Sequence, residues 1–176
     1  MLLSLDGVGL SARTDFVFDV AEYLQRTPRQ LPSRYFYDPL GSALFDAICR
    51  LPWYRVTRAE TALLSRHARE MLESLPRPLN ITELGCGNGD KLAVLLEKGG
   101  ERFRRVHLID ISAAALMSAR ARLATLPAAP VTTFQGTYEQ GLARLATHRG
   151  NGAWLVLFLG VELVSTDRGG FGRLVA

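Results

Sequence analysis

The sequence predicts an α/β fold, a doubly wound and mostly parallel sheet preceded by a helical extension. Three observations carry this. From Leu79 onward short apolar runs alternate with stretches of helical period, and strands that alternate with helices are joined by βαβ crossovers. The first strand runs directly into Gly85, Gly87 and Gly89, and glycine at alternate positions marks a tight strand-to-helix turn whose backbone a ligand can approach. The second strand ends on Asp110, where an acid can accept hydrogen bonds from both hydroxyls of a ribose.

A chain of 176 residues holds one ordinary domain, or a modest domain with an appended segment. Its 48% hydrophobic and 22% charged content is that of a globular protein. No apolar run is long enough to span a bilayer as a helix. The net charge of +4 comes from scattered arginines, and no recognition motif accompanies it, so neither nucleic acid nor membrane is expected as a partner. Cys49 and Cys86, with no signal peptide before them, read as reduced thiols in a cytoplasmic protein. His67, His107 and His148 are dispersed and show no metal-ligand spacing.

Residues 1–12 lack a sustained pattern and read as a loose arm. Asp15 to Arg26 is helical, with Phe16, Val20, Tyr23 and Leu24 on one face. Pro28 and Pro32 then punctuate a connector. Ser42 is placed to cap a short helix through Cys49 with Leu44, Phe45 and Ile48 inward. Thr57 and Glu60 stand at capping-box spacing before a long helix that turns Leu63, Leu64, His67, Ala68, Met71 and Leu72 inward. Pro76 and Pro78 stop it. Strands follow at Leu79–Leu84, Arg105–Ile109, Val131–Phe134 and Trp154–Leu159, the last apolar throughout as a strand covered on both faces would be. Helices begin near Lys91, after Ser112 with Ala115, Leu116, Ala119 and Leu123 as its stripe, and at Tyr138.

Which cofactor the turn serves depends on one position. A dinucleotide fingerprint ends in glycine, but here that place is Asp90, whose carboxylate would repel a pyrophosphate brought to the helix start. S-adenosylmethionine has no phosphate and needs only room and hydrogen bonds, with Lys91 available for its carboxylate. A nicotinamide-dinucleotide oxidoreductase is the alternative that Asp90 opposes.

The residues Leu31 to Asp46 (LPSRYFYDPLGSALFD), Leu51 to Tyr54 (LPWY), Thr57 to Glu60 (TRAE), Glu83 to Lys91 (ELGCGNGDK), Asp110 to Ser112 (DIS) and Leu157 to Gly160 (LFLG) together resemble the histidine-specific S-adenosylmethionine-dependent methyltransferases of ergothioneine biosynthesis. Fungal N-methyltransferases acting on tryptophan-derived amino acids share the pattern. The resemblance implies a Rossmann-like class I methyltransferase fold, truncated here after the fourth strand. It divides the chain into an N-terminal helical segment with an aromatic lid (1–78), the cofactor-binding half of the sheet domain (79–160) and a divergent tail (161–176). It implies that Gly85, Gly87 and Lys91 contact S-adenosylmethionine and that Asp110 holds its ribose. Tyr54 matches a tyrosine facing the amino-acid substrate and Tyr37 one close to the reacting centre, where methyl groups pass to the α-amine, most often of histidine.

The match departs from the family in two places. The acid and aromatic that serve the adenine become Thr137 and Tyr138, while the neighbouring Glu139 is expected to point elsewhere. After Gly160 the family's substrate-contacting turn is replaced, with Ser165 at its asparagine position, as a shifted reading frame or truncation would produce. Family members continue for roughly as much sequence again. Without it the fourth strand is an exposed edge, open to self-association or to a separately encoded C-terminal half, and the chain is either an active enzyme or a catalytically inactive S-adenosylmethionine-binding fragment.

Overall fold

The computed structural model describes residues 6–126, 129–147 and 152–159, with side chains from residue 14 onward. Leu2, Leu3, Leu5, His148 and the tail 161–176 lie outside the described residues. Among the described residues six α-helices and four strands follow in order: α1 (Asp6–Tyr23), α2 (Pro39–Cys49), α3 (Arg55–Glu73), β1 (Leu79–Leu84), α4 (Asp90–Gly99), β2 (Phe103–Asp110), α5 (Ala113–Leu123), β3 (Val131–Gln135), α6 (Tyr138–Thr147) and β4 (Ala153–Leu157). The strands are all parallel in the order β3-β2-β1-β4. Moving outward from β1 to β3 and then returning to β4 makes the β1/β4 boundary the switch point of the sheet, the place where open α/β sheets bind ligands.

The core lies on one face of this sheet. Leu79 and Ile81 of β1 and Val106 and Leu108 of β2 pack against Leu92, Leu95 and Leu96 of α4 and Leu116, Ala119 and Leu123 of α5. Helix α3 adds Leu64, Ala68 and Leu72, a strip repeating every four residues. That strip is narrower than the pattern predicts, because α3 lies against α4 at the margin of the layer: Leu63 and Met71 are exposed and His67 is half-exposed, beside Glu70. Helix α6 crosses the opposite face, where Gly141 admits the Ile109 side chain; a Cβ there would sit 2.5 Å from its Cδ1.

Several local expectations are corrected. Helix α1 begins at Asp6, well inside the supposed loose arm. The cap of α2 is Asp38, which accepts the Gly41 amide at 2.7 Å, with Pro39 in the first helical position; Ser42 already lies within the helix. Thr57 and Glu60 likewise lie inside α3, which begins at Arg55 with no side-chain cap. The reciprocal capping box occurs instead at Thr137 and Gln140, whose side chains bond each other's amides at 3.3 and 3.0 Å. Leu44, Phe45 and Ile48 are all exposed, and β4 is only half covered, with Val156 half-exposed, so its apolar sequence does not reflect burial on both faces.

Candidate functional site

Above the carboxyl ends of the strands lies a cavity of about 490 Å³, within the roughly 300–1,000 Å³ range of small-molecule sites. The eight residues expected to contact cofactor or substrate border it: Tyr37, Tyr54, Gly85, Gly87, Lys91, Asp110, Thr137 and Tyr138. So does Glu139, against expectation.

The glycine turn forms its floor. All three glycines have positive φ, at 69°, 51° and 80°, values that side-chain-bearing residues rarely adopt. At Gly85 a Cβ would also lie 2.8 Å from the Tyr138 hydroxyl, whereas at Gly87 it would project into open space. The Gly85 amide donates to the Ile109 carbonyl at 2.8 Å and so pins the turn to the end of β2. Asp90 does not face a phosphate site unopposed: Asn88 and Arg122 hold its carboxylate at 2.9 and 3.1 Å.

Asp110 is buried at the end of β2. One carboxylate oxygen accepts the Ser112 amide at 2.9 Å, and the other accepts the Gly87 amide at 3.3 Å and the Cys86 thiol at 3.8 Å. Burial raises its pKa, and the amide donors only partly offset this. The oxygen that accepts the Ser112 amide keeps one lone-pair direction for a hydroxyl; on the other, a second hydroxyl has only the long thiol contact to displace.

Lys91, in the first turn of α4, donates to the Glu60 carboxylate at 2.8 Å and to the Leu159 carbonyl at 3.0 Å. Glu60 therefore serves the cavity wall and not the helix cap that its spacing to Thr57 suggests. Beneath the turn, Glu83 is fully buried, and among the described residues its Oε2 has no partner. Burial pushes its pKa up to about 8, Asp110 adding to the rise and Lys91 opposing it. The folded protein thus keeps a proton between pH 4.5 and about 8 that the unfolded chain gives up, so this contribution to stability is complete at low pH and declines as pH rises. The melting temperature of wild type is expected to fall relative to that of Glu83→Gln between pH 5 and 8, by on the order of a few degrees; parallel melting curves across that range would refute the assignment.

The helical wall carries the tyrosines. Tyr37 follows a short 3-10 turn (Ser33–Phe36), which is held to α1 because Arg34 and Tyr35 both bond the Asp19 carboxylate. The Ser42 and Ser112 hydroxyls, 2.9 Å apart, then tie α2 to the start of α5 beside Asp110. Tyr54 ends the loop before α3. Burial raises its phenol pKa, and Cys49 and Glu60 add to the rise, so at neutral pH it is a hydrogen-bonding hydroxyl and not a base. On the far wall the Tyr138 and Phe158 rings meet edge to face at 5.6 Å. Phe158 and Glu60 were not foreseen as site residues; only their positions after a strand and on an inward helix turn could have signalled them.

A parallel sheet with a glycine turn after β1 and an acid closing β2 defines a Rossmann-like domain with a site for a nucleoside-containing cofactor. The chain belongs to the histidine-specific, S-adenosylmethionine-dependent methyltransferase family, whose model matches residues 16–174. That match runs past Gly160, where the motif agreement breaks off. The chain is 36% identical over 145 residues to a histidine N-alpha-methyltransferase of Mycolicibacterium smegmatis, covering 81% of this chain and 44% of that protein. A histidine N-alpha-methyltransferase of Mycobacterium tuberculosis is 37% identical over the same shares. Ergothioneine biosynthesis protein 1 of Neurospora crassa is 33% identical over 116 residues, 65% of this chain and 13% of its own length. The chain therefore spans less than half the length of these curated relatives.

The family's cofactor is S-adenosylmethionine, and the residues present fit it. The wall at Gly87 is open where a side chain would intrude, and the donor set offers an acid for a diol and an ammonium for a carboxylate. Among the described residues, no group of His, Cys, Asp and Glu is arranged to hold a metal, and no helix is long and apolar enough to cross a membrane.

Proposed function

We propose that this chain binds S-adenosylmethionine for transfer of a methyl group to the α-amine of an amino acid, histidine or a close relative of it. One observation carries this reading: the glycine turn, Asp110 and Lys91 share a single cavity with Tyr37 and Tyr54. In it the backbone at Gly85 and Gly87 lies along the cofactor, Asp110 takes the ribose hydroxyls, and Lys91 the methionine carboxylate. Thr137 and Tyr138 border the adenine.

When bound, the cofactor supplies a methyl group on a cationic sulfur. The protein's task is then to align a neutral amine behind it and exclude water, which is catalysis by orientation and desolvation. The Tyr54 hydroxyl, protonated at neutral pH, orients the amino acid. The Tyr37 ring and hydroxyl lie at the reacting centre, where an aromatic face eases a developing ammonium. A cytoplasmic setting belongs to this reading, supported by the unpaired Cys49 and Cys86.

Incubation with histidine and methyl-labelled S-adenosylmethionine tests it. Labelled histidine is the expected product. Cofactor binding without transfer to any amino acid would favour a second reading, a binding fragment, which the chain's 44% coverage of its bacterial relatives recommends. On either reading β4 is an edge strand among the described residues, with Val156 exposed on it and Phe158 exposed just beyond it, a template for another strand. Light scattering is expected to show self-association, or capture of a separately supplied C-terminal half; a monomer with a sharp thermal transition would count against it.

A further inference from the structure

Glu60 is the one acid on the cavity wall that is ion-paired to Lys91. Their charged ends lie 2.8 Å apart, on different helices, and both are partly exposed to the cavity, at 31% and 19%. An ion pair on an open surface contributes little, and this one is placed where a ligand must meet both charges. The geometry points to Glu60 as the acceptor for the α-ammonium of the cofactor's methionine tail, with Lys91 taking the carboxylate. This rests on the reading of the cavity as an S-adenosylmethionine site.

Charge balance supports the assignment. Glu83, beneath the same lysine, holds its proton at neutral pH because it is buried, so Lys91 is matched by Glu60 alone. A carboxylate brought to Lys91 would leave one negative charge in excess. The ammonium two bonds away from that carboxylate cancels it, and a zwitterion thus replaces nothing and leaves the site neutral. The other amine in the reaction, that of the amino-acid substrate, is the wrong partner for Glu60. A carboxylate against it would stabilise its protonated form, which has no lone pair to accept the methyl group.

The test compares S-adenosylhomocysteine with its deamino analogue, which keeps the carboxylate, and with methylthioadenosine, which lacks the whole tail. All three are titrated calorimetrically without substrate. Wild type is expected to bind S-adenosylhomocysteine roughly tenfold or more tighter than the deamino analogue, as for a charge-assisted hydrogen bond. Glu60→Gln should bring that ratio to about one and leave methylthioadenosine unchanged. Equal affinity of wild type for the first two ligands overturns the inference without need of a variant. So does an equal loss of both in Glu60→Gln, which would make Glu60 only a support for Lys91. If wild type binds none of the three, the cofactor reading itself fails, and this inference with it.

Discussion

Asp110→Ala is expected to weaken S-adenosylmethionine binding by at least about 100-fold, since in the role proposed for it Asp110 is the charged acceptor of the ribose hydroxyls and each such bond contributes roughly 1.5–3 kcal/mol. The same carboxylate accepts the amides of Gly87 and Ser112, so its loss also loosens the turn and the cap of α5. Asp110→Asn is the milder change. It keeps one oxygen for one of the two amides, turns its NH2 toward the other and loses the charge, and it is expected to melt between Asp110→Ala and wild type while binding at least tenfold more weakly than wild type. Retained affinity in Asp110→Asn, measured by calorimetry, would remove Asp110 from the ribose site.

Gly41→Ala is expected to lower methyl transfer at least tenfold while sparing cofactor affinity. A Cβ at Gly41 would sit 1.7 Å from the Phe36 carbonyl oxygen and 3.2 Å from the Asp38 carboxylate that caps α2. The first is a backbone atom, so no side-chain rotation relieves the clash, and the turn from Phe36 to Asp38 that carries Tyr37 must move. Because α2 has no buried residue, the cost to global stability is small, and a thermal shift under about 5 °C is expected. On the role proposed for Tyr37 the damage falls on methyl transfer, where a displacement of about 1 Å costs on the order of 100-fold. Unchanged turnover would count against the role proposed for Tyr37.

From Leu79 onward the fold was legible because strand and helix periods alternate and three glycines at alternate positions after a strand mark a tight turn that needs positive φ. Asp110 was legible for the same reason: it closes the strand that follows. The helical segment before Leu79 was harder to read. Ser42 and Thr57 each satisfy a local capping pattern, but Asp38 and Arg55 start the helices, since a cap depends on where the preceding chain is held. Before α2 the chain is held by Asp19, which grips Arg34 and Tyr35 across the connector. Glu60 was hidden by its capping-box spacing, and its partner Lys91 is distant in sequence. The apolar run of β4 announced a strand but not its exposure, because composition does not say which neighbour covers a face.

Calorimetric titration of this chain with S-adenosylmethionine and with NAD, side by side, tests the cofactor assignment on which every role above depends. Saturable one-to-one binding of S-adenosylmethionine with none of NAD is the predicted result. Binding of NAD, or of neither ligand by folded protein, would contradict it.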